Sequence, residues 1–115
     1  MSVNSVVEFE SLQRSSDGNV IGSVFLKIYG KLAGIEFEKR LEERTFSFPS
    51  GGSQEVYKTK FTYRSLEFEV HARVHEESQG QCCVQGHLHI KPIVGGGVGV
   101  ELAPNCHPIP DMATG

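Results

Sequence analysis

The residues of this sequence that could do chemistry are concentrated in one stretch. Residues 71–91, "HARVHEESQGQCCVQGHLHIK", contain four of the five histidines and two of the three cysteines. Zinc, copper and nickel accept imidazole nitrogen and thiolate sulfur as ligands, so one hypothesis is a transition-metal site. Its first ligands would be His71, His87 and His89, with His75, Cys83 or Glu69 as further ligands.

The same residues have a simpler interpretation. Their spacing lacks the Cys-x-x-Cys pair of zinc fingers, and His-x-His arises by chance on strands whose alternate side chains face solvent. A run of exposed polar residues is usually the solvated face of a sheet. We therefore expect no cofactor, and zinc or another transition metal is the alternative.

Cys83 beside His75 raises a second hypothesis, a thiol nucleophile, because a neighbouring imidazole makes a thiol more reactive. The sequence offers no orienting third residue and no oxyanion hole, so we expect a noncatalytic protein. Cys82 is expected to pack inward as a small apolar residue. Since the three cysteines are odd in number and lack a spaced framework, the sequence predicts free, reduced thiols.

Strict alternation of apolar and polar residues predicts that this stretch is a hairpin of two half-buried strands. The inward-facing residues are Leu66, Phe68, Val70, Ala72 and Val74 on the first strand and Val84, Leu88 and Ile90 on the second. A three-residue loop, Ser78-Gln79-Gly80, with Gly80 in the left-handed conformation, fixes the register. The polar pairs are then Glu67 with Lys91, Glu69 with His89, His71 with His87 and His75 with Cys83, all on the non-core face.

The rest of the chain repeats the pattern of short strands and turns. The first two apolar segments form a hairpin across the Asp17-Gly18 turn. Residues 34–48 are predicted to be a strand with a bulge before Phe46, although residues 35–45 also fit a helix. The fold class is thus all-β, an antiparallel sandwich or small barrel of about six or seven strands, with α+β as the alternative. Residues 1–102 would form a single domain, and residues 103–115 a poorly ordered tail.

Charge and hydropathy limit the partners. The net charge of −3 disfavours nucleic acid. A basic strip that includes Lys58 and Lys60 is better explained by cross-strand pairing with the acidic run of Glu36 and Glu38. No apolar run approaches the roughly 20 residues of a membrane span. The start of the chain lacks the features of a secretory signal, which predicts a cytoplasmic protein, or a secreted one whose leader has been removed.

These observations favour a noncatalytic binding or assembly module that engages a protein partner or like subunits. Ile21, Phe25 and Tyr29 would form an apolar stripe on the face opposite the core, and such a stripe is typical of an interface. The alternative function is a metal- or small-ligand-binding β protein that uses the histidine-rich hairpin face.

Overall fold

The computed structural model describes residues 2–77, 80–102 and 104–110. Within these ranges the chain is all-β, without a helix, and its strands form two antiparallel sheets. The all-β prediction is confirmed. The α+β alternative is wrong, because residues 35–40 and 44–48 are strands.

The N-terminal sheet is built around one long central strand. It contains β1 (Ser2–Arg14), β2 (Val20–Leu32), β3 (Ile35–Arg40) and β4 (Arg44–Phe48). Strand β1 pairs with one edge of β2, while β3 and β4 follow each other along the opposite edge. Arg40 lies opposite Lys27 and Arg44 opposite Val24, so the edge strands carry one residue more than β2 between these two pairs. The single strand predicted for residues 34–48 is thus two strands, and the extra residue of the connection 41–43 makes the predicted change of phase, which returns Phe46 to the inward face.

The C-terminal sheet has a similar plan with one strand more. It contains β5 (Ser53–Tyr63), β6 (Leu66–Glu77), β7 (Gln81–Pro92), β8 (Val98–Glu101) and β9 (Asn105–Pro108). Strand β7 pairs with β6 on one edge and with β8 and then β9 on the other. Residues 105–108 were expected in a poorly ordered tail, but they belong to this sheet. Residues 104, 109 and 110 are described outside the strands, and residues 103 and 111–115 lie outside the described residues.

The apolar faces of the two sheets share one core. The Phe37 and Phe68 rings, one from each sheet, meet edge to face with centroids 5.2 Å apart. The hydroxyl of buried Tyr57 donates to the backbone oxygen of Glu42 at 2.5 Å and lies 3.3 Å from the backbone oxygen of Val24, so β5 is tied to the N-terminal sheet. The outer faces of both sheets therefore carry the polar side chains that alternate with this core.

The expected pairing of Lys58 and Lys60 with Glu36 and Glu38 is wrong. These lysines are on β5 of the C-terminal sheet, whereas the glutamates are on β3 of the other sheet. Lys60 Nζ lies 3.9 Å from Glu69 on β6, its neighbour within the same sheet. Charge complementarity alone did not identify which strands are adjacent.

Candidate functional site

The register of β6 and β7 places the histidine-rich residues on the outer face of the C-terminal sheet, as predicted. His71 lies opposite His87, Glu69 opposite His89, and His75 opposite Cys83. Gly80 has a φ of 72°, the left-handed conformation expected for the end of the hairpin loop. The other two predicted loop residues, Ser78 and Gln79, lie outside the described residues.

His71 and His87 form a stacked pair in the middle of this face. Their ring centroids are 5.0 Å apart and their planes differ by 16°. His71 Nε2 lies 2.9 Å from Glu69 Oε1, and this hydrogen bond is the main reason that the pKa of the Glu69 carboxyl is lowered. The charges of Lys60 and His89 lower it further. This part of the hairpin face is thus a network of stacking and hydrogen bonding.

A group of three metal-binding side chains lies nearer the hairpin loop. In residues 2–77, 80–102 and 104–110, the donor atoms of His75, Glu77 and Cys83 all lie within 4.8 Å of one another, and no group containing His71, His87 or His89 meets this condition. His75 Nε2 is 3.2 Å from Glu77 Oε1. Two of these residues belong to the predicted ligand set, and Glu77 does not. Since alternation puts residues 75 and 77 on one face of β6, the sequence did contain the signal for Glu77.

Cys83 is bonded to Cys106 in a disulfide, which corrects the expectation of reduced thiols at these two positions. The two residues are directly opposite each other on β7 and β9, with their Cα atoms 4.0 Å apart. In this state the Cys83 sulfur is no nucleophile, because it has no free thiolate. The bond was not predicted, because Cys106 belongs to residues 103–115, which were expected to form a poorly ordered tail.

Cys82 is a free and fully buried thiol, as predicted. Burial raises the pKa of Cys82 to about 12, so the thiol stays protonated near neutral pH. Its neighbour Cys83 points to the opposite face of β7 because successive side chains alternate. The two adjacent cysteines therefore have different chemistry.

The predicted apolar stripe lies on the outer face of the N-terminal sheet. Ile21 and Phe25 are half-buried, and the Tyr29 side chain is 39% exposed. Val6 on β1 adds an apolar side chain that is 40% exposed and lies opposite Lys27. Val6 was not predicted on this face, because the apolar residues of "SVVEFESLQ" fit either face of a strand.

Charged side chains surround and cover these apolar groups. The Arg40 guanidinium lies 4.4 Å from the centroid of the Phe25 ring, and Lys27 Nζ lies 5.8 Å from that of Tyr29. Lys27 also pairs with Glu38 at 2.6 Å, and this hydrogen bond raises the pKa of the Lys27 ammonium. A depression of about 160 Å³ is lined by Val6, Glu8, Phe25, Lys27 and Arg40.

Comparison with models of protein families, with curated proteins and with solved structures found no significant match. Among the described residues, no helix has the length and apolar character needed to cross a bilayer. A proposal of function therefore depends on the geometry of the two outer faces.

Proposed function

We propose that this chain is a noncatalytic β-sandwich that assembles with a second copy of itself through the outer face of its N-terminal sheet. The observation that carries the proposal is a cluster of apolar side chains on that face. The cluster consists of Val6, Phe25 and Tyr29, and we call it the outer apolar patch. Val6 and Tyr29 are about two-fifths exposed, although the core is already filled by the side chains on the other face of the same strands.

The surroundings of the outer apolar patch support an interface. Protein interfaces have an apolar centre, often with tyrosine and arginine, and a polar rim. Here Arg40 stacks on Phe25, and Glu8 and Lys27 line the same depression. Rings that are already held by cations lose little side-chain entropy when a partner covers them.

The distribution of charge favours a second copy over a partner of one charge. The face carries cations at Lys27 and Arg40 and anions at Glu8 and Glu38. In a two-fold interface, a residue i of one subunit that contacts residue j of the other is matched by j contacting i, so a face with both signs can be complementary to itself. A strongly acidic or strongly basic partner would meet like charges on such a face.

Sedimentation velocity across about three decades of protein concentration tests this proposal, because self-association follows mass action. The wild-type mass should rise from the monomer value of 12.6 kDa toward twice that value. Val6→Glu should weaken the dimer at least about 10-fold, since its new carboxylate would be buried in the interface. In the monomer the same glutamate is tolerated, because it lies opposite Lys27.

Gln85→Glu is the matched control. Gln85 is an exposed strand residue on the outer face of the other sheet, so the variant adds the same charge away from the outer apolar patch. It should associate as the wild type does. A wild-type chain that stays at 12.6 kDa over the whole concentration range, or a Val6→Glu variant that dimerises with unchanged affinity, would contradict the proposal.

A further inference from the structure

Four side chains with metal-binding donors lie near one another on the outer face of the C-terminal sheet: the donor atoms of His75, Glu77 and Cys83 meet within 4.8 Å, and Cys106 is bonded to Cys83. Three of them lie in a row across neighbouring strands: His75 on β6 is opposite Cys83 on β7, and Cys83 is opposite Cys106 on β9. Glu77 follows His75 on the same face of β6, and its carboxylate is 3.2 Å from the imidazole. The disulfide joins two of the four donors.

We propose that these four residues form a zinc site that exists only when the Cys83–Cys106 disulfide is reduced. Zinc prefers four ligands in a tetrahedron and binds thiolate, imidazole and carboxylate. The disulfide withholds both thiolates, and its reduction releases them beside an imidazole and a carboxylate. The ligand set would then be Cys83, Cys106, His75 and Glu77. This inference goes beyond self-association, since it concerns the other sheet and a different ligand.

The separations of three of the donors are close to those around one small ion, and the fourth, Cys106, is held beside them by its bond to Cys83. In a tetrahedron with bonds of about 2.0–2.3 Å, neighbouring donors are about 3.3–3.8 Å apart. The His75–Glu77 distance of 3.2 Å is already close to this range, and the donor atoms of His75, Glu77 and Cys83 all lie within 4.8 Å of one another. Cys106 is an exposed residue of β9, a four-residue strand at the sheet edge, so after reduction its side chain can rotate toward the other three donors.

The reduction is a two-electron exchange with a dithiol. One thiolate of the dithiol attacks the sulfur of Cys106, which is the exposed partner, and the Cys83 sulfur leaves as a thiolate. The second thiol of the reductant then attacks the mixed disulfide, which releases Cys106 and leaves the reductant as a disulfide. Zinc binding displaces the proton of each cysteine thiol. Reoxidation to the disulfide removes both thiolate ligands and releases the ion.

Cobalt titration of the full-length chain tests the site, because a Co²⁺–thiolate bond gives a charge-transfer absorption that histidine and carboxylate ligands do not give. The air-oxidised chain and a chain reduced with a phosphine and desalted without oxygen are compared. The reduced chain should develop this band with about one equivalent of Co²⁺ and lose it when Zn²⁺ is added. The oxidised chain should show no such band.

Two histidine variants separate this site from nonspecific binding to free thiols. His75→Ala should weaken zinc binding to the reduced chain at least about 10-fold, since it removes one of the four ligands. His89→Ala changes an exposed histidine of the same sheet face outside the site and should bind zinc as the wild type does. His75→Gln repeats the test with a side chain closer in size, in case the alanine variant is poorly folded.

Three results would overturn the proposal. They are a reduced chain without a cobalt–thiolate band, equal metal binding by the oxidised and reduced chains, and zinc affinity that stays at the wild-type value in both His75 variants. Metal content is measured independently of mass, so a failure of self-association leaves this test unaffected.

Discussion

At the scale of single residues, Glu76 connects three parts of the fold. Its carboxylate accepts a hydrogen bond from Arg14, at the end of β1, in a salt bridge. It also accepts a hydrogen bond from the backbone N–H of Gly51, in the turn between β4 and β5, at 2.9 Å. These two bonds lower the pKa of the Glu76 carboxyl. Only 8% of the side chain is exposed, so water cannot easily replace the lost partners.

Replacing Glu76 with glutamine should lower the free energy of unfolding at pH 7 by about 1–2 kcal/mol, because a charge-assisted bond is lost. The folded-state pKa lies below the ordinary value of 4.5, so the carboxylate stabilises the fold above that pH. The stability gap between wild type and variant should close as the pH falls through the lowered pKa. Urea unfolding of both proteins at pH 7 and at a series of lower pH values measures this difference in the free energy of unfolding.

Glu10→Gln, an exposed position on β1, is the control and should change stability little at any pH. A gap for Glu76→Gln that is the same at pH 7 and in strong acid would show that the carboxylate charge does not stabilise the fold.

Residue pairs within one hairpin were predictable from the sequence. The pairing of His75 with Cys83 followed from strand alternation and a short loop, because together they determine which residues of the two strands lie opposite each other. Cys83 opposite Cys106 did not follow. The path from β7 to β9 passes through glycine- and proline-rich residues 92–104, whose local pattern does not specify where the chain returns.

At the scale of elements, Gly86 allows β6 and β7 to lie close together. A Cβ at this position would lie 2.1 Å from the backbone oxygen of His71 and 2.7 Å from Cα of Ala72. The obstruction is backbone rather than a flexible side chain, so it cannot rotate away. Gly86→Ala should therefore lower the free energy of unfolding by about 2–4 kcal/mol.

Gly99→Ala is the matched control for Gly86→Ala. Gly99 is also a strand residue, on β8, and a Cβ there would meet no heavy atom within 4 Å. Its effect should stay within about 0.5 kcal/mol. Urea unfolding midpoints compare the two variants, and equal effects would contradict the proposed close approach at Gly86.

Elements with clear alternation were predicted well, and short ones were not. Strands β6 and β7 each have about a dozen residues of alternating character, and the break between β3 and β4 is visible as a change of phase. Strand β9 has the sequence Asn-Cys-His-Pro, in which no apolar period can be recognised. Its structure depends on partners that are distant in sequence: Asn105 donates to the backbone oxygen of Val7 at 2.8 Å, and His107 packs edge-on against Phe9.

At the scale of the whole molecule, the sequence predicted strands but not the division of strands between sheets. Strands β4 and β5 are consecutive and belong to different sheets, joined through a turn that contains Gly51. Alternation shows which side chains of a strand face the core, but the pattern does not depend on which other strand lies beside it. This is why the lysines of β5 were assigned to the wrong acidic partners.

The disulfide joins β9 to the rest of the C-terminal sheet, so the redox state should change the stability of the entire domain. Cys83 and Cys106 are 23 residues apart. A disulfide that closes a loop of this length stabilises a fold by about 3 kcal/mol, because it restricts the conformations of the unfolded chain. Reduction should lower the free energy of unfolding by about that amount. Urea unfolding of oxidised and phosphine-reduced protein measures the difference.

Zinc should restore part of this loss in the reduced chain only. A ligand that binds the folded state alone stabilises it by about 2.7 kcal/mol at a concentration 100 times its dissociation constant. The reduced chain should therefore be the least stable, and zinc should make the reduced chain more stable. The stability of the oxidised chain should not depend on zinc.

The Cys106→Ser variant tests both effects, because it removes the disulfide and one thiolate while leaving His75, Glu77 and Cys83 in place. It should match the reduced wild type without zinc and gain less from the metal. If zinc stabilised the oxidised chain as much as the reduced one, the metal would act elsewhere and the disulfide would have only a structural role.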